Sequence, residues 1–383
     1  MTSGSRRKLL FLTATRADFG KLKPLIRAVE DSEEFDAYVF ATGMHMLSLY
    51  GSTVNEIYKA GFNRVFSYIN QDASINSQMD LVLANTINGL GHYIREFPPD
   101  LMVIHGDRIE ALAGAIVGAV NNVLVAHIEG GEVSGTVDEL IRHSVSKLSH
   151  LHFVSNDEAR KRLLQMGEAD DSIYVIGSPD IDVMLSDSLP DLERVKEKYE
   201  IGFDRYGVFA YHPVTTELPD LRRNIESVVA ALEESGMNFV TIYPNNDTGV
   251  EVIMDTLDRL RNNKRFRLIP SMRFEYFLTL LKNAAVVAGN SSAGIREAPV
   301  YGIPTLNIGT RQRNRFNFPS IVNVHEEREA ILHALNNLPR SAPSSNHFGS
   351  GNSTQLFMAR LRNPNFWSTS RQKHFVDLRI DHV

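Results

Sequence analysis

The chain has 383 residues, of which 43% are apolar and 22% charged, with a net charge of −6, one tryptophan and no cysteine. That length exceeds one typical domain, so two hydrophobic cores are expected. The charge balance argues against a nucleic-acid partner, the lack of cysteine excludes disulfide and thiolate chemistry, and no uncharged apolar run reaches the roughly 18 residues of a membrane span. A cytoplasmic protein is expected: the basic start and the short apolar run that follows it are too brief for a secretion-signal core and read as a first buried strand.

In chain order, apolar runs at 9–13, 37–41, 101–104, 123–128, 152–154 and 173–176 read as strands, with helical patterns over 21–30, 78–96 and 110–120 among them. A polar, proline-containing break at 186–200 precedes a second series at 207–211, 238–243, 266–269, 284–288 and 305–308. Helices are predicted there over 221–235, 252–262 and 275–283, and closing helices over 354–363 and 368–378. Short apolar strands separated by helices predict parallel sheets covered on both faces, joined by right-handed crossovers. The fold class is therefore α/β, with two doubly wound Rossmann-type domains at 1–185 and 186–365 and a closing segment at 366–383. A ligand is expected in the cleft outside the strand C-terminal ends.

Polar residues gather where those strands end. The first strand runs into Arg16 and Asp18, and the second into His45. The middle of the first series supplies His105, Asp107 and Arg108, then His127 and Glu129, then a helix start at Thr136, Asp138 and Glu139. Asp107, Glu129 and Asp138 thus fall on one edge of one sheet, where neighbouring strands lie about 4.8 Å apart. Carboxylates gathered in a cleft raise one another's pKa and can divide acid and base roles. Each also has a structural reading: Thr136 to Glu139 fits a capping box, Asp107 can pair with Arg108 or Arg142, and a lone His45 can serve packing. The His105–Asp107 and His127–Glu129 pairs are of the nitrogen and oxygen kind that zinc or manganese uses, but no helical histidine pair backs them, so no metal is expected.

In the second series His212 and Asn245 follow strand ends, and the turn Gly289-Asn290-Ser291-Ser292-Ala293-Gly294 is predicted to open a helix. Bare N–H groups and the macrodipole at such a start favour phosphate. Glu297 lies a turn or two later, placed to accept from a ribose, and Arg311 follows the next strand. Pro299 counts against a long regular helix.

The segments TRADFGKLKPLI, ATGMHM, IHGDRIEALAGA, HIEGGEVSGTVDELIRHSVSKLSH, IGSPDIDVM, HPVTTE, YPNNDTG, RFEYFL and GNSSAGIREAPVYGIP together resemble the bacterial hydrolysing UDP-N-acetylglucosamine 2-epimerases of sialic acid biosynthesis. The resemblance spans nearly the whole chain and implies a GT-B-like fold with a deep interdomain cleft. It implies conversion of UDP-N-acetylglucosamine and water to N-acetylmannosamine and UDP through a glycal, without a cofactor, in a homodimer or larger assembly. Carried over, Asp107, Glu129 and Asp138 become the catalytic carboxylates, with Asp107 or Glu129 taking the C2 proton. Arg16, Arg108, His212, Asn245, Ser291, Ser292, Glu297 and Arg311 become UDP contacts, and His45 is a further candidate contact from its strand-end position. The first loop departs from the family at Ala14, where glycine is usual. The non-hydrolysing relatives carry TRPE-type and HVEAGLR-type segments where this chain has TRAD and HIEGGE. Alternatives are the same chemistry on a UDP-linked 2,4-diacetamido-6-deoxyhexose of the legionaminic acid pathway, non-hydrolysing epimerisation, a GT-B glycosyltransferase, and a sensor that binds nucleotide sugars without using the three acids.

Overall fold

The computed structural model describes residues 6–72, 78–245, 247–339 and 342–377. The first sheet is built from β1 (Arg7–Thr13), β2 (Phe35–Ala41), β3 (Val65–Ser67), β4 (Leu101–His105), β5 (Leu124–Ile128), β6 (Leu151–Val154) and β7 (Ile173–Val175), in the order β3-β2-β1-β4-β5-β6-β7. The second contains β8 (Gly207–Ala210), β9 (Phe239–Ile242), β10 (Phe266–Ile269), β11 (Val286–Gly289), β12 (Thr305–Ile308) and β13 (Ile321–Val324), in the order β10-β9-β8-β11-β12-β13. Every pairing is parallel. Strand order reverses at β1/β4 and at β8/β11, the places where doubly wound sheets leave a crevice for ligands.

Strand β1 shows why the apolar runs are continuous rather than alternating. Leu9 and Phe11 enter the core on one face of the sheet while Leu10 and Leu12 enter the core on the other. With side chains alternating sides and helices on both, every position from Leu9 to Thr13 is buried. The edge strands β3 and β13 were not legible in sequence. Each has only three or four residues, and their side chains are half-buried or exposed.

Several predicted boundaries move for local reasons. The first helix spans Arg16–Glu30 rather than starting at 21, because Thr15 and Asp18 close a reciprocal capping box. The helix expected after β11 is instead two single turns, Ser292–Gly294 and Ala298–Tyr301, with Pro299 in the second and Gly302 ending it at φ 67°. A macrodipole of useful length is therefore missing there, and any anion binding by this turn rests on local N–H groups and side chains.

The division at 365 also needs correction. The helix Ser353–Leu361 and the turn Pro364–Ser368 place Phe357, Leu361 and Phe366 in the same core as Leu9 and Phe11, so the chain returns to the first domain before residue 365. The second closing helix expected over 368–378 does not form within the described residues: 369–377 is irregular, and Leu378 lies outside them. Lys373 fastens that stretch by donating to the carbonyls of Lys147 (2.8 Å) and Ser149 (2.6 Å). No helix among the described residues is long and apolar enough to cross a membrane.

Candidate active site

The C-terminal ends of β1, β4 and β5 face those of β8 and β9 and the turn after β11 across one cleft. Asp107, Glu129 and Asp138 all line it, as do Arg16, Arg108, His212, Asn245, Ser291, Ser292, Glu297 and Arg311. Of the expected contacts, His45 alone is not among its lining residues. Its ring is fully buried and lies 3.0 Å from the Thr13 hydroxyl and 2.6 Å from that of Thr53, and burial pushes its pKa down to about 4. It is a neutral core histidine bridging the first two strand ends.

The three carboxylates are held differently. Asp107 is ion-paired to the buried guanidinium of Arg142. Asp138 accepts from Arg311 Nη2 at 2.9 Å, a bond from one domain to the other. At the start of that helix the Thr136 side chain accepts from the Asp138 N–H, but Glu139 takes the Ser134 N–H at 2.6 Å, so the expected reciprocal box is not made. Glu129 sits with φ 64°, a left-handed conformation that costs a non-glycine residue energy and is concentrated at functional sites. Its Oε2 is 3.0 Å from His105 Nε2 and its Oε1 is 2.7 Å from Arg296 Nη2. Burial works to raise its pKa, but Arg296, Lys21 and His105 hold it well below the ordinary carboxylate range.

Both sides of the cleft also carry groups that meet negative charge. The Asn245 N–H donates to His212 Nδ1 at 3.3 Å, so in the neutral ring the proton resides on Nε2. Burial, with Arg311 and Arg108 nearby, keeps the ring neutral by pushing its pKa well down. Asn290 fixes the His212 backbone through two bonds of 2.7 and 2.8 Å. Arg108 lies 3.4 Å from Glu110 and 3.8 Å from Asp247. Arg16 reaches Ser271 Oγ at 2.7 Å and Glu56 at 2.8 Å, so it ties the two domains together at the mouth of the cleft. The Ser291 hydroxyl accepts from the Ala293 N–H, while Ser292 faces the cleft without a helix behind it. Arg142, Arg311 and Arg315 crowd one end, and burial together with Arg315, Arg296 and Arg311 pushes the Arg142 guanidinium down from its usual value. Such a concentration of positive potential suits a diphosphate.

Beneath the three acids lies a buried charge network that was not foreseen. Lys21 Nζ is 3.1 Å from Asp180, 3.2 Å from Glu297 and 3.7 Å from Glu129. Glu297 is thus engaged with Lys21 at the base of the cleft, not simply offered to a ribose, and burial raises its pKa. Arg296 contacts Glu129 and Glu132, and Arg315 Nη2 lies 2.9 Å from Glu132. Glu132 is buried yet held down at about pKa 2, because the two arginines outweigh desolvation. One signal was available in the sequence: Asp180 and Arg296 are charges set within small and apolar residues in IGSPDIDVM and GNSSAGIREAPVYGIP, and a charge in such a setting is buried and paired.

Two doubly wound domains meeting at a cationic, acid-bearing cleft define a GT-B-like α/β protein. The chain belongs to the UDP-N-acetylglucosamine 2-epimerase family, which it matches over residues 27–362. It is similar to the UDP-N-acetylglucosamine 2-epimerase of Neisseria meningitidis serogroup B, at 46% identity over 98% of this chain and 100% of the relative. A UDP-N,N'-diacetylbacillosamine 2-epimerase (hydrolyzing) from Legionella pneumophila is 33% identical over 91% and 94% of the two chains. Among solved structures, the fold is that of the Methanocaldococcus jannaschii UDP-GlcNAc 2-epimerase in complex with UDP-GlcNAc and UDP, with TM-score 0.78, 22% identity, and coverage of 92% of this chain and 99% of the other.

Proposed function

We propose that this family member is the hydrolysing enzyme, converting UDP-N-acetylglucosamine and water to N-acetylmannosamine and UDP at the start of sialic acid biosynthesis. The observation that carries the reading is the placement of Asp107, Glu129 and Asp138 in one cleft with the donor set of His212, Arg108 and Arg311. A similarity of 31% over 86% of this chain to a polysialic acid biosynthesis protein of Escherichia coli supports the pathway.

The C2 proton of a resting sugar is too weakly acidic to remove. It becomes removable as the C1–O bond to UDP lengthens and positive character grows at C1. The basic wall stabilises the departing diphosphate, with His212 Nε2–H as a neutral donor. A carboxylate takes the C2 proton, and the electron pair of that C–H bond forms the C1–C2 double bond of a glycal as UDP leaves. Water then adds at C1, its proton is accepted by a carboxylate, and a carboxylic acid returns a proton to the opposite face of C2. The sum is one water consumed, one UDP released and C2 inverted.

The nearest competing reading is the same chemistry on a UDP-linked diacetamido sugar, which the similarity to the Legionella protein favours. Incubation with UDP-N-acetylglucosamine in D₂O, followed by proton NMR, is expected to give free N-acetylmannosamine deuterated at C2. UDP-N-acetylmannosamine as product would replace hydrolysis by simple epimerisation. Absence of turnover, with turnover of the diacetamido sugar, would move the assignment to that substrate.

A further inference from the structure

We propose that Arg296, contributed by the second domain, is a positioning residue that pins Glu129 as an anion at the base of the cleft, so that the acid trio is complete only with both domains in contact. The proposal rests on the reading of this cleft as the UDP-sugar site, but it makes a claim about Glu129 that can be measured without turnover.

Arg296 is 1% exposed and follows the turn after β11. Its guanidinium crosses the domain boundary. Nη2 reaches Glu129 Oε1 at 2.7 Å and Ser178 Oγ at 2.5 Å, while Nη1 engages Glu132. The Phe348 ring, 4.8 Å from the guanidinium carbon, backs its face and fixes its plane. A forked cation held in this way sets the orientation of a carboxylate as well as its charge.

Glu129 is left with little freedom to exchange protons. The Ser178 hydroxyl also donates to Oε1, and Oε2 faces His105 at 3.0 Å and Lys21 at 3.7 Å. Two like charges oppose its ionisation, Glu132 on the same loop and Asp180 from the helix Pro179–Met184, while Glu297 competes with it for Lys21. His127, on the strand that leads into Glu129, is neutral because burial drives its pKa to about 3. Removing Arg296 hands the balance to those acids. Asp107 and Asp138, by contrast, are 27% and 28% exposed, and among the described residues each is ion-paired with a single arginine. Proton traffic with the sugar falls to them, and Glu129 supplies a fixed negative charge facing the cationic C1.

The test uses the full-length protein with carboxyl-¹³C glutamate, the Glu129 resonance being assigned by its loss in Glu129→Gln. In Arg296→Gln the Glu129 titration is expected to rise by about 1–3 pH units, the usual effect of a contacting opposite charge. The acid limb of kcat/KM for UDP-N-acetylglucosamine should move upward in parallel, with kcat reduced more than KM. Arg296→Lys, which keeps the cation but loses the fork, should show a smaller rise, and it carries the test alone if the glutamine variant does not fold. A Glu129 titration unchanged from wild type in the folded variant, with only a lower melting temperature, overturns the proposal. If the wild-type protein does not turn over the substrate but the titration still moves, the functional reading fails and the role of Arg296 stands.

Discussion

At the scale of single residues, the site separates groups that can exchange protons from groups that cannot. Asp107 is partly exposed and paired with an arginine, whereas Glu129 is buried among four cationic or hydrogen-bonding partners. Asp107→Asn keeps the size of the side chain and an oxygen for Arg142 but removes the proton-accepting group. It is expected to lower kcat by about 10²–10⁴-fold, the usual weight of a general acid–base residue, with little change in KM. Steady-state UDP release checks this, and near-normal turnover would remove Asp107 from the chemistry. The acids themselves were legible because each stands at a strand end or helix start, where topology alone forces convergence. Lys21 was not, and for Asp180 and Arg296 only a buried, paired charge was legible, not its partner. Their roles come from contacts between helices and loops that no spacing within one segment encodes, and His45 shows the converse, a strand-end histidine that two threonine hydroxyls draw into the core.

At the scale of elements, the cleft is set by how closely the first helix approaches the second domain. Gly20 lies on the buried face of Arg16–Glu30, and a Cβ built there would meet Phe274 Cγ at 2.4 Å. Phe274 begins the helix Phe274–Lys282 of the second domain and also lines the cleft, as does Arg16 one turn before Gly20. Gly20→Ala must therefore push the two helices apart. The expected cost is about 1–3 kcal/mol, as for other overpacked contacts, seen as a lower denaturation midpoint. Because the displaced helix carries Arg16 and Lys21, kcat/KM should fall by more than the loss of folded protein explains. An unchanged midpoint and activity would show that the helices slide freely. The alternation of strands and helices was readable because both faces of each sheet are covered, which leaves continuous apolar runs. The short edge strands β3 and β13 and the broken turn at 292–301 were not, since their form is fixed by partners distant in sequence and by Pro299.

At the scale of the whole molecule, the chain leaves the second domain and returns to fasten the first. Lys373 caps the C-terminal carbonyls of the helix Val137–Leu148, whose opposite end carries Asp138, and pairs with Glu168. Glu168 is buried and also accepts from His152 Nε2 at 2.9 Å. Burial alone would raise its pKa, but the His152 hydrogen bond and Lys373 hold it down at about 2, against 4.5 for a free glutamate. A folded-state value below the unfolded one means that the stabilisation is complete above pH 4.5 and is lost as pH falls toward 2. Lys373→Met removes the tail's ammonium while keeping its apolar stem. At neutral pH it is expected to destabilise by about 1–3 kcal/mol, the cost of leaving hydrogen-bonded buried groups unsatisfied. Without Lys373 the folded pKa of Glu168 rises toward its free value, so the variant's deficit should be largest above pH 4.5 and shrink as the acid limit is approached. Melting temperatures of both proteins across that range decide it. A deficit independent of pH would mean that the tail acts through packing alone, and that the clasp on the helix bearing Asp138 is not electrostatic.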